Sequence, residues 1–167
     1  MTVMYEYQPK GDRRRTDLII YGLFLLGAML FLGAYHPQAP YPAVWQLLAM
    51  IAFVPAIFLL SRFRLTHYTY RVEETEDGKI DFVIVETCGQ RIRTVCRIGT
   101  DCIRSMTLVT KENKKQLADS CRKQTVYQYV ALLFAENKYL LKIEEYGRVS
   151  YLYILSDEIL KEKLISQ

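Results

Sequence analysis

The stretch LIIYGLFLLGAMLFLGAYHPQAPYPAVWQLLAMIAFVPAIFLLS, residues 18–61, runs for 44 positions without an Asp, Glu, Lys or Arg. A helix rises about 1.5 Å per residue and the hydrocarbon core of a bilayer is about 30 Å thick, so about 20 apolar residues cross it once. The run is long enough for two crossings. Its middle, Tyr35-His36-Pro37-Gln38-Ala39-Pro40-Tyr41-Pro42, carries three prolines, which withdraw backbone donors and favour a turn. This spacing predicts a transmembrane helical hairpin over residues 17–62, with one helix near 17–35 and the second near 43–62.

Each predicted helix holds ten Leu, Ile, Val or Phe residues. At roughly −0.3 to −0.6 kcal/mol apiece, either gains about 3 to 6 kcal/mol on insertion. Tyr35, Tyr41 and Trp45 cluster at the turn, where amphipathic rings settle at the boundary of lipid and water. Arg13, Arg14 and Arg15 precede the pair and Arg62 and Arg64 follow it, while the connecting loop has no basic residue. The positive-inside rule then predicts a multi-pass cell-membrane protein with both termini cytoplasmic, residues 1–16 being a short cytoplasmic N-terminal segment.

Two other readings of the run are weaker. A cleaved signal peptide has a shorter apolar region and a small-x-small site, which is not clean here before the prolines. A buried hairpin of a soluble protein would show a polar stripe on at least one helix. Pro55 lies deep in the second span and predicts a kink, and Ala49, Ala52 and Ala56 share a face that lets the first helix approach closely. With no Asp, Glu, Lys or Arg between Leu18 and Ser61, an ion or proton path inside one subunit lacks groups to use.

Outward from the hairpin the charge divides unevenly. Residues 1–64 hold six basic against three acidic side chains, and residues 65–167 hold sixteen against fifteen. The formal net charge of +4 thus sits mostly beside the apolar run, where topology places it, and the remainder is nearly neutral. A nearly neutral domain does not suit nucleic acid. At 167 residues the chain has room for the anchor and one further domain of ordinary size, and a second enzyme-sized domain is excluded.

From Thr66 onward, short runs rich in β-branched and aromatic residues replace the helical pattern. Strands are predicted at 66–74, 80–87, 90–98, 101–109, 124–135, 138–145 and 148–155, with turns at Glu76-Asp77-Gly78, Cys88-Gly89 and Glu136-Asn137. Lys111 to Lys123 reads as a short helix or a polar insertion. Ser156, followed by Asp157 and Glu158, reads as the cap of a final helix whose apolar face is Ile159, Leu160 and Leu164. The fold class expected is α+β: a transmembrane hairpin, then a mainly antiparallel β domain over 65–167 with a C-terminal helix. Its element order matches a pleckstrin-homology-like barrel or sandwich.

The layout is HYTYRVEE directly after a hairpin, then GKIDFVIV, RIRTVCRIGTDCIRSM, a polar insertion, YLLKI and a closing helix. It resembles a family of small bacterial membrane proteins, the domain of unknown function DUF6106, and is similar in plan to bacterial pleckstrin-homology-like membrane proteins. The resemblance implies a bacterial plasma-membrane location and brings no known activity with it.

Candidate chemistry is sparse. Cys88, Cys96, Cys102 and Cys121 contain no CxxC pair and His67 is the only histidine near them, so neither a structural metal site nor a cofactor is expected. On the cytoplasmic side their thiols are expected reduced. No glycine-rich phosphate loop or Ser-His-Asp set is present, and an enzyme is not expected. The thirteen tyrosines fit sheet packing better than base stacking. Strict alternation along the third strand places Arg91, Arg93 and Arg97 on one face, and with Lys79 they form a candidate lipid- or anion-binding stripe. Glu86 on the neighbouring strand is placed to neutralise Arg93.

The function expected is a membrane-anchored interaction or scaffold module. The alternatives are a sensor of anionic lipid or a small ligand, and a subunit of an oligomeric transport complex meeting its copies through Ala52 and Ala56. The partners expected are the bilayer and other proteins or further copies of the chain.

Overall fold

The computed structural model describes residues 2–11, 13–36, 40–122, 124–135 and 137–165. Pro37, Gln38 and Ala39 of the predicted turn, Lys123 of the insertion and Glu136 of the predicted Glu136-Asn137 turn lie outside the described residues. The chain forms two compact units. One comprises Asp12–Thr66 with Leu132–Phe134, and the other Met1–Gly11, His67–Ala131 and Ala135–Gln167.

The first unit is the hairpin. Helix α1 spans Arg14–Gly33 and α2 spans Pro42–Leu59, both within a turn of their expected bounds. Pro42 opens α2 at a position where no backbone donor is needed and its fixed φ already suits a helix. Counting its continuation to Leu65, α2 joins α1 as a helix long and apolar enough to cross a membrane.

Only 17% of each apolar window is buried within the chain. What is buried is mostly small: Gly27 of α1, and Ala49, Ala52 and Ala56 of α2, with Ile20. A Cβ added at Gly27 would lie 2.8 Å from the Phe53 ring, so the close approach of the helices depends on this glycine.

Helix assignment runs through Pro55 without a break. The ladder then loosens into a π-helical turn over Leu60–Leu65, which Thr66 closes by donating its hydroxyl to the Ser61 carbonyl at 3.0 Å. At this end Arg64 pairs with Asp17 at 2.6 Å and lies over the Tyr21 ring, tying the start of α1 to the end of α2.

The second unit holds two four-stranded sheets among the described residues. The first has the order β1-β2-β3-β4: β1 Thr2–Tyr7, β2 Thr66–Glu74, β3 Ile80–Cys88 and β4 Arg91–Gly99. Strand β1, within the N-terminal segment 1–16, is an element the sequence reading did not include. It lies antiparallel to β2, with Tyr5 opposite Val72 and Tyr7 opposite Tyr70.

The second sheet has the order β5-β7-β8-β6: β5 Ile103–Leu108, β6 Thr125–Gln128, β7 Lys138–Glu145 and β8 Arg148–Leu155. Three differences from expectation fall here. Thr100–Cys102 is a 3-10 turn, so β5 starts late. The strand expected at 124–135 stops at Gln128, and it runs parallel to β8. The helix in the polar insertion is α3, Lys114–Cys121.

The closing helix α4 spans Glu158–Ile165. Its cap is Asp157, which accepts the Leu160 N–H at 2.8 Å, while the expected cap Ser156 is buried and donates to the Asp157 carbonyl. Leu160 and Leu164 face the core, whereas Ile159 is exposed.

The core of this unit is made of large side chains. Tyr70 stacks between Tyr7 and Phe82, with Ile84, Leu141, Leu152 and Ile154 also buried. The Tyr70 hydroxyl donates to the Tyr129 carbonyl at 2.6 Å and accepts the Leu155 N–H at 3.2 Å. A residue of the first sheet thereby satisfies backbone groups of the second, and burial raises the Tyr70 pKa. Tyr5 of β1 donates to Asp157 at 2.5 Å, joining the N-terminal strand to the start of α4.

Candidate functional site

The expected basic stripe is not built as one surface. Along β3 and β4, Ile84 pairs with Cys96 and Val85 with Thr94, which leaves Val95 unopposed. This one-residue bulge flips the alternation of every position beyond it. Arg91 and Arg93 therefore share a face with Cys96 and Ile98, while Arg97 projects from the other face with Ile92. Lys79 lies exposed in the turn before β3.

Two of the arginines are also engaged. Arg93, with its side chain 73% exposed, meets Glu86 at 2.7 Å, the cross-strand pair anticipated from the sequence. Arg97 bridges the buried Glu73 at 2.9 Å and Asp81 at 3.3 Å, linking three strands. Beside it Arg71 pairs with Glu6 at 3.1 Å, so this face of the sheet is laced by opposite charges. Lys79 and Arg91 make no ion pair among the described residues.

The bulge does create a site. Val95, Cys96, Arg97 and Ile98 line one wall of a cleft of about 700 Å³, within the range of ligand pockets. The facing wall comes from β6, the segment just after it, β7 and β8, and includes Tyr127, Tyr129 and Leu152. The cleft arises because β4 is an edge strand bent by the bulge, and β6 is the short edge of the other sheet. Tyr129 reaches across with its hydroxyl toward the carbonyl of the bulged Val95, at 3.4 Å.

Apart from Arg97, these walls are built mainly from aromatic, aliphatic and thiol side chains. Tyr127 and Tyr129 stack nearly parallel at 6.1 Å. Burial pushes the Tyr129 hydroxyl up to about 12 and the Cys96 thiol up to about 11, the nearby Glu145 adding to the latter. Such a shift favours the protonated thiol at neutral pH.

Charge appears at the rim. Glu145 and Arg148 close the β7–β8 hairpin opposite each other, and Arg148 makes no ion pair among the described residues. Between them, Tyr146 and Gly147 both have positive φ, 48° and 73°, as a two-residue type I′ turn demands. Tyrosine in that conformation costs about 1 kcal/mol or more. The turn nevertheless holds its ring at the cleft mouth, 96% exposed.

Sequence reasoning did not find this cleft, because the bulge inserts one ordinary valine with no compositional mark. The Tyr-Gly turn between strands ending at 145 and starting at 148 was the available signal. Among the described residues no group of three or more His, Cys, Asp or Glu is placed to hold a metal ion. Compared with protein-family models, with curated proteins and with solved structures, the chain matches none.

Proposed function

We propose that this chain is a membrane-anchored interaction module. The hairpin spans the bilayer twice, and the β unit lies in the cytoplasm and offers the cleft to an extended segment of a protein partner. The observation that carries the anchored topology is the pairing of β1 with β2. One strand precedes α1 and the other follows α2, and a hydrogen-bonded sheet cannot form through a bilayer. Both flanks of the hairpin thus share one side, and the basic residues at 13–15, 62 and 64 favour the cytoplasm. A cleaved signal peptide is disfavoured, since cleavage would remove a strand of the sheet.

The element order supports a pleckstrin-homology-like plan, extended here by β1, consistent with the resemblance to small bacterial membrane proteins. For recognition, the cleft is favoured over the basic strand. It combines aromatic walls, neutral hydroxyl and thiol groups and the guanidinium of Arg148, a combination suited to an extended peptide carrying an acidic side chain.

Topology is tested on intact cells with a membrane-impermeant maleimide. A cysteine placed by Pro40→Cys should label from outside, and Cys88, which is exposed, only after permeabilisation. The reverse pattern would refute the orientation. Recognition is tested by a photo-crosslinking residue in place of Tyr146 in the full chain: a specific protein adduct should form and be lost on Arg148→Ala. An adduct indifferent to Arg148 would rule out the cleft.

Lipid sensing is the second reading, favoured by the exposure of Lys79 and Arg91 without ion-pair partners among the described residues. Replacing both by alanine should then lower the anionic lipid retained by the detergent-extracted chain. Unchanged retention would remove this reading.

A further inference from the structure

The sequence predicts a strand through residue 135, yet β6 ends at Gln128 and the chain turns at Leu133 and Phe134. Turns draw on Gly, Pro, Asn, Asp and Ser for backbone reasons. The run Ala131-Leu132-Leu133-Phe134-Ala135 contains none of them and no charge. Leu133 is 39% exposed and Phe134 52%, while Val130 and Ala131 just before them are buried. Leu132–Phe134 also leave the β unit and count as part of the compact unit formed by the two helices.

A tip of Leu and Phe presented to water is unfavourable, and its own unit indicates what covers it. The helices of that unit expose Leu18, Leu25, Met29, Leu47, Ile51, Val54 and Phe58, a surface that acyl chains would cover on the membrane reading. We infer that the Leu132-Leu133-Phe134 loop is a third membrane contact, its Leu133 and Phe134 side chains seated in the interfacial layer of the same bilayer. This rests on the membrane reading of the hairpin. It adds a monotopic contact to the two spans, of the kind made by apolar residues entering the boundary of headgroup and acyl chain.

The chain contains one tryptophan, Trp45, which separates the two ideas. The full chain is reconstituted in vesicles containing lipids brominated near the top of the acyl chain. Quenching of Trp45 reports the hairpin. The double variant Trp45→Phe with Phe134→Trp reports the loop, and Trp45→Phe with Leu133→Trp provides a second position should the first fail to fold.

We expect emission from positions 45 and 134 or 133 to fall by roughly half, because the quencher lies within reach of a group buried about 5–10 Å into the interface. Trp45→Phe with Tyr146→Trp should keep its emission. Quenching at 45 but not at 133 or 134 overturns the inference and leaves the hairpin standing. Absence of quenching at all positions overturns both. Equal quenching at 146 also overturns the inference, since it would show general adsorption of the β unit rather than a contact by this loop.

Discussion

The hairpin and the β unit assign large and small side chains to opposite places. In the hairpin the helix contact is made by Gly27, Ala49, Ala52 and Ala56, and the large residues point outward. In the β unit Tyr70, Phe82, Leu141 and Leu152 are inside, and the charges are outside in cross-strand pairs. The contrast is what the proposed membrane reading of the hairpin implies. Water drives large apolar groups together, whereas lipid is as apolar as leucine and rewards only close backbone approach.

The hardest blow to the β unit is Tyr70→Ala. It removes a fully buried ring and two inter-sheet hydrogen bonds, and should cost about 3 to 5 kcal/mol by analogy with other buried aromatics. Urea unfolding of the full chain in detergent, read by hydrogen exchange in β2 and β8, measures it. A loss confined to β2 would mean that the two sheets do not share one core.

The corresponding test of the hairpin is Leu25→Arg, on an exposed apolar face. It should add about 3 kcal/mol to insertion of α1 and lower the membrane-integrated fraction. Neutral behaviour there would mean that α1 is not in lipid at all.

Gly27→Val tests the small-residue contact and should destabilise by about 1 to 3 kcal/mol, because the Phe53 ring must move. The same exchange at Gly22, where an added Cβ meets nothing within 4 Å, should leave the melting temperature in detergent unchanged. Equal effects would remove the special status of Gly27.

Among the charges, Arg97→Ala should cost about 1 to 3 kcal/mol, because it strips the buried Glu73 as well as Asp81 of their cation. Arg93→Ala should cost less, and that cost should fade in salt because the side chain is exposed. A larger loss at Arg93 would invert the assignment of the bulge.

The smallest effect at neutral pH is proton linkage. Tyr5 and Tyr129 are raised from 10.0 to about 12, and Cys96 from 9.0 to about 11. For Tyr5 the hydrogen bond to Asp157 is the main cause, and for the other two it is burial. The folded state holds these protons more tightly, so the stability involved is intact below about pH 9 and lost as pH rises toward 11 to 12. Near-UV circular dichroism of the full chain should show its alkaline transition in that window. A transition complete at pH 9 would contradict it.

Much of this contrast was legible in the sequence. Uncharged runs and alternating β-branched residues located both helices and strands β2, β3, β4, β7 and β8, because each carries its own periodic signal. Strand β1 carried only a partial signal, because Met4 breaks the alternation of Val3, Tyr5 and Tyr7 with polar neighbours; its partner also lies beyond the hairpin, and no local pattern specifies long-range pairing. The cleft was illegible for the reason that defeated the arginine stripe. Strict alternation assumes an unbroken ladder, and Val95 breaks it.

The placement of β1 also sets an order of assembly. It is synthesised before its partner, and its edge has nothing to pair with until α1 and α2 have been made and β2 follows. Loop closure across the whole hairpin must precede its ladder. If the hairpin spans a bilayer as proposed, failure of α2 to return would leave β1 and β2 on opposite sides and the first sheet one strand short. On the proposed two-span topology, β1 completes the first sheet only in a chain whose hairpin has inserted both helices.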